Sequence, residues 1–124
     1  MPNKLTQPQE IEVFYIIPTL RRQLAISMKK QGLKQRQIAS LLEIEDAAVS
    51  QYISQKRGNK IQLSRTIQKE ITKSASLIRD KLSLIRETQR LLKIIKATRE
   101  LCRLHKKLSA TPLGCSSRQA CFEA

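Results

Sequence analysis

Cys102, His105, Cys115 and Cys121 form the pattern C-x2-H-x9-C-x5-C, which gathers four soft ligands near the end of a 124-residue chain. Such a set could hold zinc or an iron–sulfur cluster. The spacing is irregular for that chemistry, because a compact knuckle wants two to four residues between its last pair. Cys102 and His105, three apart on an expected helix, also fall on an apolar stripe. A small buried thiol and a partly buried imidazole are ordinary there. Both readings stand at this point: a metal set, or no cofactor at all. A lasting disulfide is not expected in a reducing cytosol, whereas a regulatory one would be compatible with it.

Other chemistry is limited by arithmetic. His105 is the single histidine, and glycine occurs only at Gly32, Gly58 and Gly114. No phosphate-cradling loop of the Walker or dinucleotide type can be written, and a two-histidine metal hydrolase site is impossible. Cys102 with His105 lacks an evident orienting group, so no enzyme is expected. The balance of 24 Lys+Arg against 10 Asp+Glu gives a net charge of +14, which favours a polyanionic partner. Residues 21–62 carry nine basic and three acidic groups, and residues 63–124 carry fourteen and five. A bland alternative is a solvated surface that keeps the protein in solution.

The stretch Gln35 to Ser54, QRQIASLLEIEDAAVSQYIS, has a spacing with physical meaning. Two helices crossing steeply through a turn of three to four residues need a small residue where their backbones approach, and Ala39 occupies that place. Ile38, Leu42, Ile44, Val49 and Ile53 supply apolar groups to a shared core. Ile44 lies inside the turn itself, where an ordinary surface loop has no use for it.

This pattern resembles the helix-turn-helix of phage-repressor, Cro-like DNA-binding domains. The wider run of IPTLRRQLA, GLKQRQIASLLEI, AAVSQYISQKRG and a late CRLH is similar to an archaeal family of predicted helix-turn-helix transcriptional regulators. The resemblance is strongest over residues 16–60. It implies that Asp46, Ala47, Ser50 and Gln51 face base edges in the major groove, with Gln51 suited to the N6/N7 edge of adenine. It implies phosphate contacts from Gln35 and from Lys56 and Arg57 beyond the second helix, with Lys34 and Arg36 as auxiliaries. Glu43 stands where the family has a turn glycine, at a cost of about 1 kcal/mol. Glu45 is expected to stabilise a helix N-terminus by its charge. Asp46 could prefer a cytosine amino group or repel the duplex. The family often carries a Cys/His-rich end.

The elements that would position these residues read as helices. Three glycines, four prolines and 3% aromatic residues argue against a sandwich or barrel. Thr6 with Gln9 has the form of a capping box, with Pro8 in the first turn. Ile11, Val13, Tyr15 and Ile17 alternate as in a strand, but nothing nearby offers a partner strand, so a helix is favoured. Pro18 is expected to restart the chain, after which Leu20, Leu24 and Met28 form a buried stripe that Gly32 closes. Ser64 can cap a further helix with Ile67 and Ile71 inward. The break after it is ambiguous among Ser74, Ser76 and Asp80-Lys81. One long helix is expected from Leu82 to Leu108, its seam formed by Leu84, Leu91, Ile94, Thr98, Leu101, His105 and Leu108.

The expectation is an all-α protein: a repressor-like helix-turn-helix domain over residues 8–72, a helical dimerisation or sensor segment over 73–111, and an irregular cysteine-containing tail over 112–124. The expected function is sequence-specific binding of double-stranded DNA as a transcriptional regulator, working as a homodimer through the C-terminal helix. The alternatives are a basic adaptor for structured RNA or a ribosome, and a metal or thiol redox sensor using the same DNA-binding head. No run of 18 apolar residues exists and Met1-Pro2-Asn3-Lys4 does not begin a signal peptide. A cytoplasmic, nucleoid-associated protein without a membrane partner is therefore expected.

Overall fold

Gln7, not Thr6, opens the first helix of the computed structural model, which describes residues 4–110. Thr6 is occupied elsewhere: its N–H donates to Ser109 Oγ at 2.7 Å. Glu10 therefore completes the box, accepting from the Gln7 N–H at 2.9 Å. Helix α1 (Pro8–Ile11) runs through a π-helical turn (Glu12–Ile16) into α2 (Ile17–Lys30) without a restart. Pro18 explains the turn. Within regular α geometry its ring would crowd the Phe14 carbonyl, and it has no amide to donate. The wider spacing, in which Ile17 N–H reaches Glu12 O, makes room for it. The strand-like alternation is thus absorbed into a helix that buries Ile11 and Ile16 and leaves Val13 and Phe14 exposed.

Leu20, Leu24 and Met28 are buried on α2 as their spacing predicts. Gly32, at φ 96°, ends that helix, with Leu33 N–H bonding Met28 O and Gly32 N–H bonding Lys29 O. Next come α3 (Gln35–Leu42), α4 (Asp46–Ile53) and α5 (Arg65–Leu77). Ser64 caps α5, accepting from Ile67 N–H, and Ile67 and Ile71 point inward. The break before α6 (Lys81–Ala97) is at Asp80, whose carboxylate accepts from Ser83 N–H at 2.8 Å.

The single helix expected over Leu82 to Leu108 is two. After α6 the chain turns at Thr98 and Arg99, with Arg99 at φ 63°, and α7 (Glu100–Leu108) folds back against α1 and α6. Thr98 of the expected seam is exposed, while Leu91, Leu101 and His105 are buried and Leu84, Ile94 and Leu108 pack against the core. What covers them is the same chain. Nothing in the heptad pattern distinguishes a partner subunit from a neighbouring helix. The boundary expected at residues 72–73 falls inside α5, and buried side chains from Ile11 to Leu104 form one cluster. All the described elements are helical, and α2 is the axle that touches α3, α4 and α5. No described helix is long and apolar enough to cross a membrane. The expected end of the last helix at Thr111-Pro112 and the tail over 112–124 lie outside the described residues.

Candidate nucleic-acid interface

Helices α3 and α4 are joined by Glu43–Glu45, and the turn is made by backbone bonds. Glu43 sits at φ 54°, with Ile44 N–H donating to Ala39 O at 3.0 Å and Glu43 N–H to Ser40 O at 3.3 Å. This is the closure that Gly32 provides at the end of α2, built here without a glycine. Ala39 is buried where the helices meet, beside Ile38, Val49 and Tyr52, and Ile44 packs against the same core. A larger side chain at residue 39 would push the two backbones apart.

Gln35 ties the two helix starts together: its Nε2 donates to Asp46 O at 2.9 Å across the mouth of the turn. Its expected phosphate-contacting end is therefore partly committed to the fold. Glu45 stands at the cap position of α4 in extended geometry, but its carboxylate makes no capping hydrogen bond, leaving only its charge to act on the helix start.

The outward face of α4 presents Asp46, Ala47 and Ser50 exposed and Gln51 half-buried, while Val49 and Tyr52 point inward. Around this ridge, Lys34 and Arg36 stand exposed at the start of α3, and Lys56 and Arg57 just beyond α4. None of these four makes an ion pair among the described residues. The Arg57 guanidinium lies 5.9 Å from the centre of the Tyr52 ring, which steadies it without neutralising it. Gln55, at φ 67°, ends α4, and Asn59 Nδ2 donates to Gln55 O at 2.7 Å. Gly58 (φ 69°) lies against α2: a Cβ there would come within 2.4 Å of the Pro18 carbonyl oxygen. That contact fixes how the segment carrying Lys56 and Arg57 leaves the motif.

The candidate metal ligands are not assembled among the described residues. His105 is buried and its Nε2 is hydrogen-bonded to the Thr6 carbonyl, so one ring nitrogen is engaged by the backbone. Cys102 is half-buried in a shallow depression lined by Arg99, Arg103 and Lys106, surroundings that repel a metal cation. Cys115 and Cys121 lie outside the described residues.

One feature escapes sequence reasoning altogether. Arg22 of α2, Lys60 of the connection after α4, and Arg103 and Lys107 of α7 line a common cleft. Arg22, Lys60 and the α7 pair are separated by long stretches of chain, and only Arg103 and Lys107, four apart on one helix, share a local spacing. Compared with known proteins, the chain matches no family model, no curated protein and no solved structure.

Proposed function

We propose that this chain is a sequence-specific, double-stranded DNA-binding transcriptional regulator of the phage-repressor type, acting on nucleoid DNA in the cytoplasm. The observation that carries the reading is the outer face of α4. It is a short polar ridge of Asp46, Ala47, Ser50 and Gln51, flanked on both sides by Lys34, Arg36, Lys56 and Arg57 without ionic partners among the described residues. A ridge of that size enters a major groove, while cations at its edges bind the phosphates on either side. Gln51 and Ser50 supply hydrogen-bond readout, and the cations supply affinity.

One eight-residue helix makes few base contacts, so two copies on a two-fold site are part of the proposal, with half-sites about 34 Å apart. The expected seam is folded inward. Exposed apolar side chains remain at Leu82 and Ile85 on α6 and at Leu77 at the end of α5. These are the side chains a second copy would bury.

The test is selection of bound fragments from random duplex DNA at a stated salt concentration, repeated with Ser50→Ala and Gln51→Ala. Each substitution should cost about tenfold in discrimination at one base position and leave binding to unrelated duplex within about twofold. Unchanged discrimination in both variants would overturn the reading.

The adaptor reading keeps one observation in its favour, the larger basic excess over residues 63–124. Competition between duplex DNA and structured RNA separates the two: an adaptor prefers the RNA and is indifferent to Gln51→Ala.

A further inference from the structure

The cleft between α2, the 59–64 connection and α7 has a volume of about 770 Å³, within the range of small-molecule sites. Its walls carry four cationic side chains, Arg22, Lys60, Arg103 and Lys107, against one carboxylate, Glu100. That carboxylate is already used: Glu100 Oε1 accepts from Arg103 Nη2 at 2.6 Å and from the Ser64 N–H at 3.2 Å. It holds Arg103 in position and leaves the other guanidinium nitrogens available. Lys60 and Lys107 are exposed and make no ion pair among the described residues.

Arg22 supplies a second, independent observation. Its Nε is buried and has no hydrogen-bond partner among the described residues. A buried guanidinium nitrogen left unbonded is costly, and the guanidinium that carries it belongs to a residue lining the cleft. Gln23 and Gln62 add amide groups to the same wall, each able to donate and accept. Arginine forks and lysine point charges together suit phosphate oxygens, and an excess of three positive charges calls for more than one of them.

We propose that this cleft is a binding site for a small polyphosphorylated molecule, a phosphoanhydride bearing a polar group of nucleotide size. The four cations are gathered around one cleft rather than strung along a groove, which favours a small ligand over a second DNA contact. The position also suggests what the ligand does. Arg22 Cβ lies within 2.9 Å of where a Cβ on Gly58 would sit, and Lys60 follows two residues later. A phosphate group held by Arg22 and Lys60 therefore grips the segment by which α4 joins α2. That this grip alters DNA affinity rests on the DNA-binding reading above; the binding itself does not.

The experiment is calorimetric titration of the full chain, without DNA, with ADP, inorganic pyrophosphate and orthophosphate at fixed ionic strength. ADP and pyrophosphate should bind saturably with one equivalent, and orthophosphate about tenfold more weakly. A Lys60→Gln/Lys107→Gln double variant should lose about tenfold or more in ADP affinity. A Lys29→Gln/Lys30→Gln variant removes the same charge from the exposed end of α2 and should lose less than about twofold. Arg22→Gln should weaken ADP binding as the double variant does. If it fails to fold by circular dichroism, the lysine pair alone decides. Absence of saturable binding overturns the site, as does equal loss in the two double variants. Displacement of ADP by a duplex oligonucleotide that persists once the α4 cations are removed (Lys34→Gln/Arg36→Gln/Lys56→Gln/Arg57→Gln) overturns the small-molecule assignment in favour of a DNA contact in the cleft.

Discussion

Helices α3 and α4 contribute Ile38, Ala39 and Val49 to one buried apolar cluster, whereas α5, α6 and α7 bury carboxylates against one another. Glu87 is 4% exposed; it accepts from Ser74 Oγ at 2.8 Å and from Arg90 Nε at 3.0 Å, and Arg90 reaches on to Glu70 at 2.6 Å. Glu100 does the same work between α7 and the start of α5. His105 and Ser109 then tie α7 to Thr6 at the other end of the chain. The motif is held by apolar packing and keeps its polar groups outside, while the C-terminal region spends polar groups on holding itself together. Charge in the two regions therefore has different meaning. Arg86, Arg90 and Arg103 each answer a carboxylate, so part of the larger basic excess is structural. Among the described residues, the cations around α4 have no such carboxylate partner.

The hardest blow to this contrast falls where the two regions share a support. Gly58 presses the exit of α4 onto α2, the helix that both regions pack around. Gly58→Ala combines a left-handed backbone with a backbone clash at Pro18, and should destabilise by about 3 kcal/mol in urea unfolding. The loss should appear as one cooperative transition detected equally by tyrosine fluorescence in a Tyr15→Phe background, which leaves Tyr52 as the reporter, and by helical circular dichroism. Separate transitions would mean that the motif and the C-terminal helices are independent units.

A smaller effect is expected inside the buried ion cluster. Burial alone would raise the Glu87 carboxyl, but hydrogen bonds from Ser74 and Arg90 and the nearby positive charge hold it below its ordinary value of 4.5. Glu100 is lowered in the same way, with Arg103 and Ser64 outweighing burial. A carboxyl depressed in the folded state contributes stability that is complete above its unfolded value and is lost as pH falls through the folded one. The contribution of these two carboxyls to the urea midpoint should therefore be complete at neutral pH and be lost as pH falls below about 4.5. Glu87→Gln should cost about 2 kcal/mol at pH 7, less than a fully buried pair because Arg90 is 29% exposed, and its acid drop should be shallower. An unchanged acid profile would mean that other groups set it.

The same contrast explains what could be read from the chain. The α3–α4 pair was legible because everything that makes it lies within 20 residues: Ala39 at the crossing, Ile44 in the turn, Val49 on the inner face. The buried positions of the last segment were legible too, in Leu91, Leu101 and His105. The bend was not, because Thr98 and Arg99 carry no breaker residue and the helix turns back to cover α1, a long-range gain that periodicity does not record. Thr6 as a cap failed for a related reason, since its N–H is drawn to Ser109, 103 residues further along the chain. The cationic cleft is the extreme case. Its residues become neighbours only after the whole bundle has closed.

The smallest expected effect sharpens the comparison from the side of the motif. Gly32 and Glu43 close their helices with the same hydrogen bonds, Leu33 N–H to Met28 O at 3.1 Å and Ile44 N–H to Ala39 O at 3.0 Å. At φ 54°, Glu43 bears a Cβ penalty of about 1 kcal/mol that glycine avoids. Its exposed carboxylate offers little in return, since the 3.7 Å pair with Lys81 is solvated on both sides. Glu43→Gly should therefore stabilise the chain by about 0.5 kcal/mol, after the greater freedom of glycine in the unfolded chain is counted. Glu43→Ala removes the same charge and keeps the Cβ, so it should gain nothing. If alanine stabilises as much as glycine, then the carboxylate rather than the backbone is what the turn tolerates, and the motif is governed by charge as much as the C-terminal helices are.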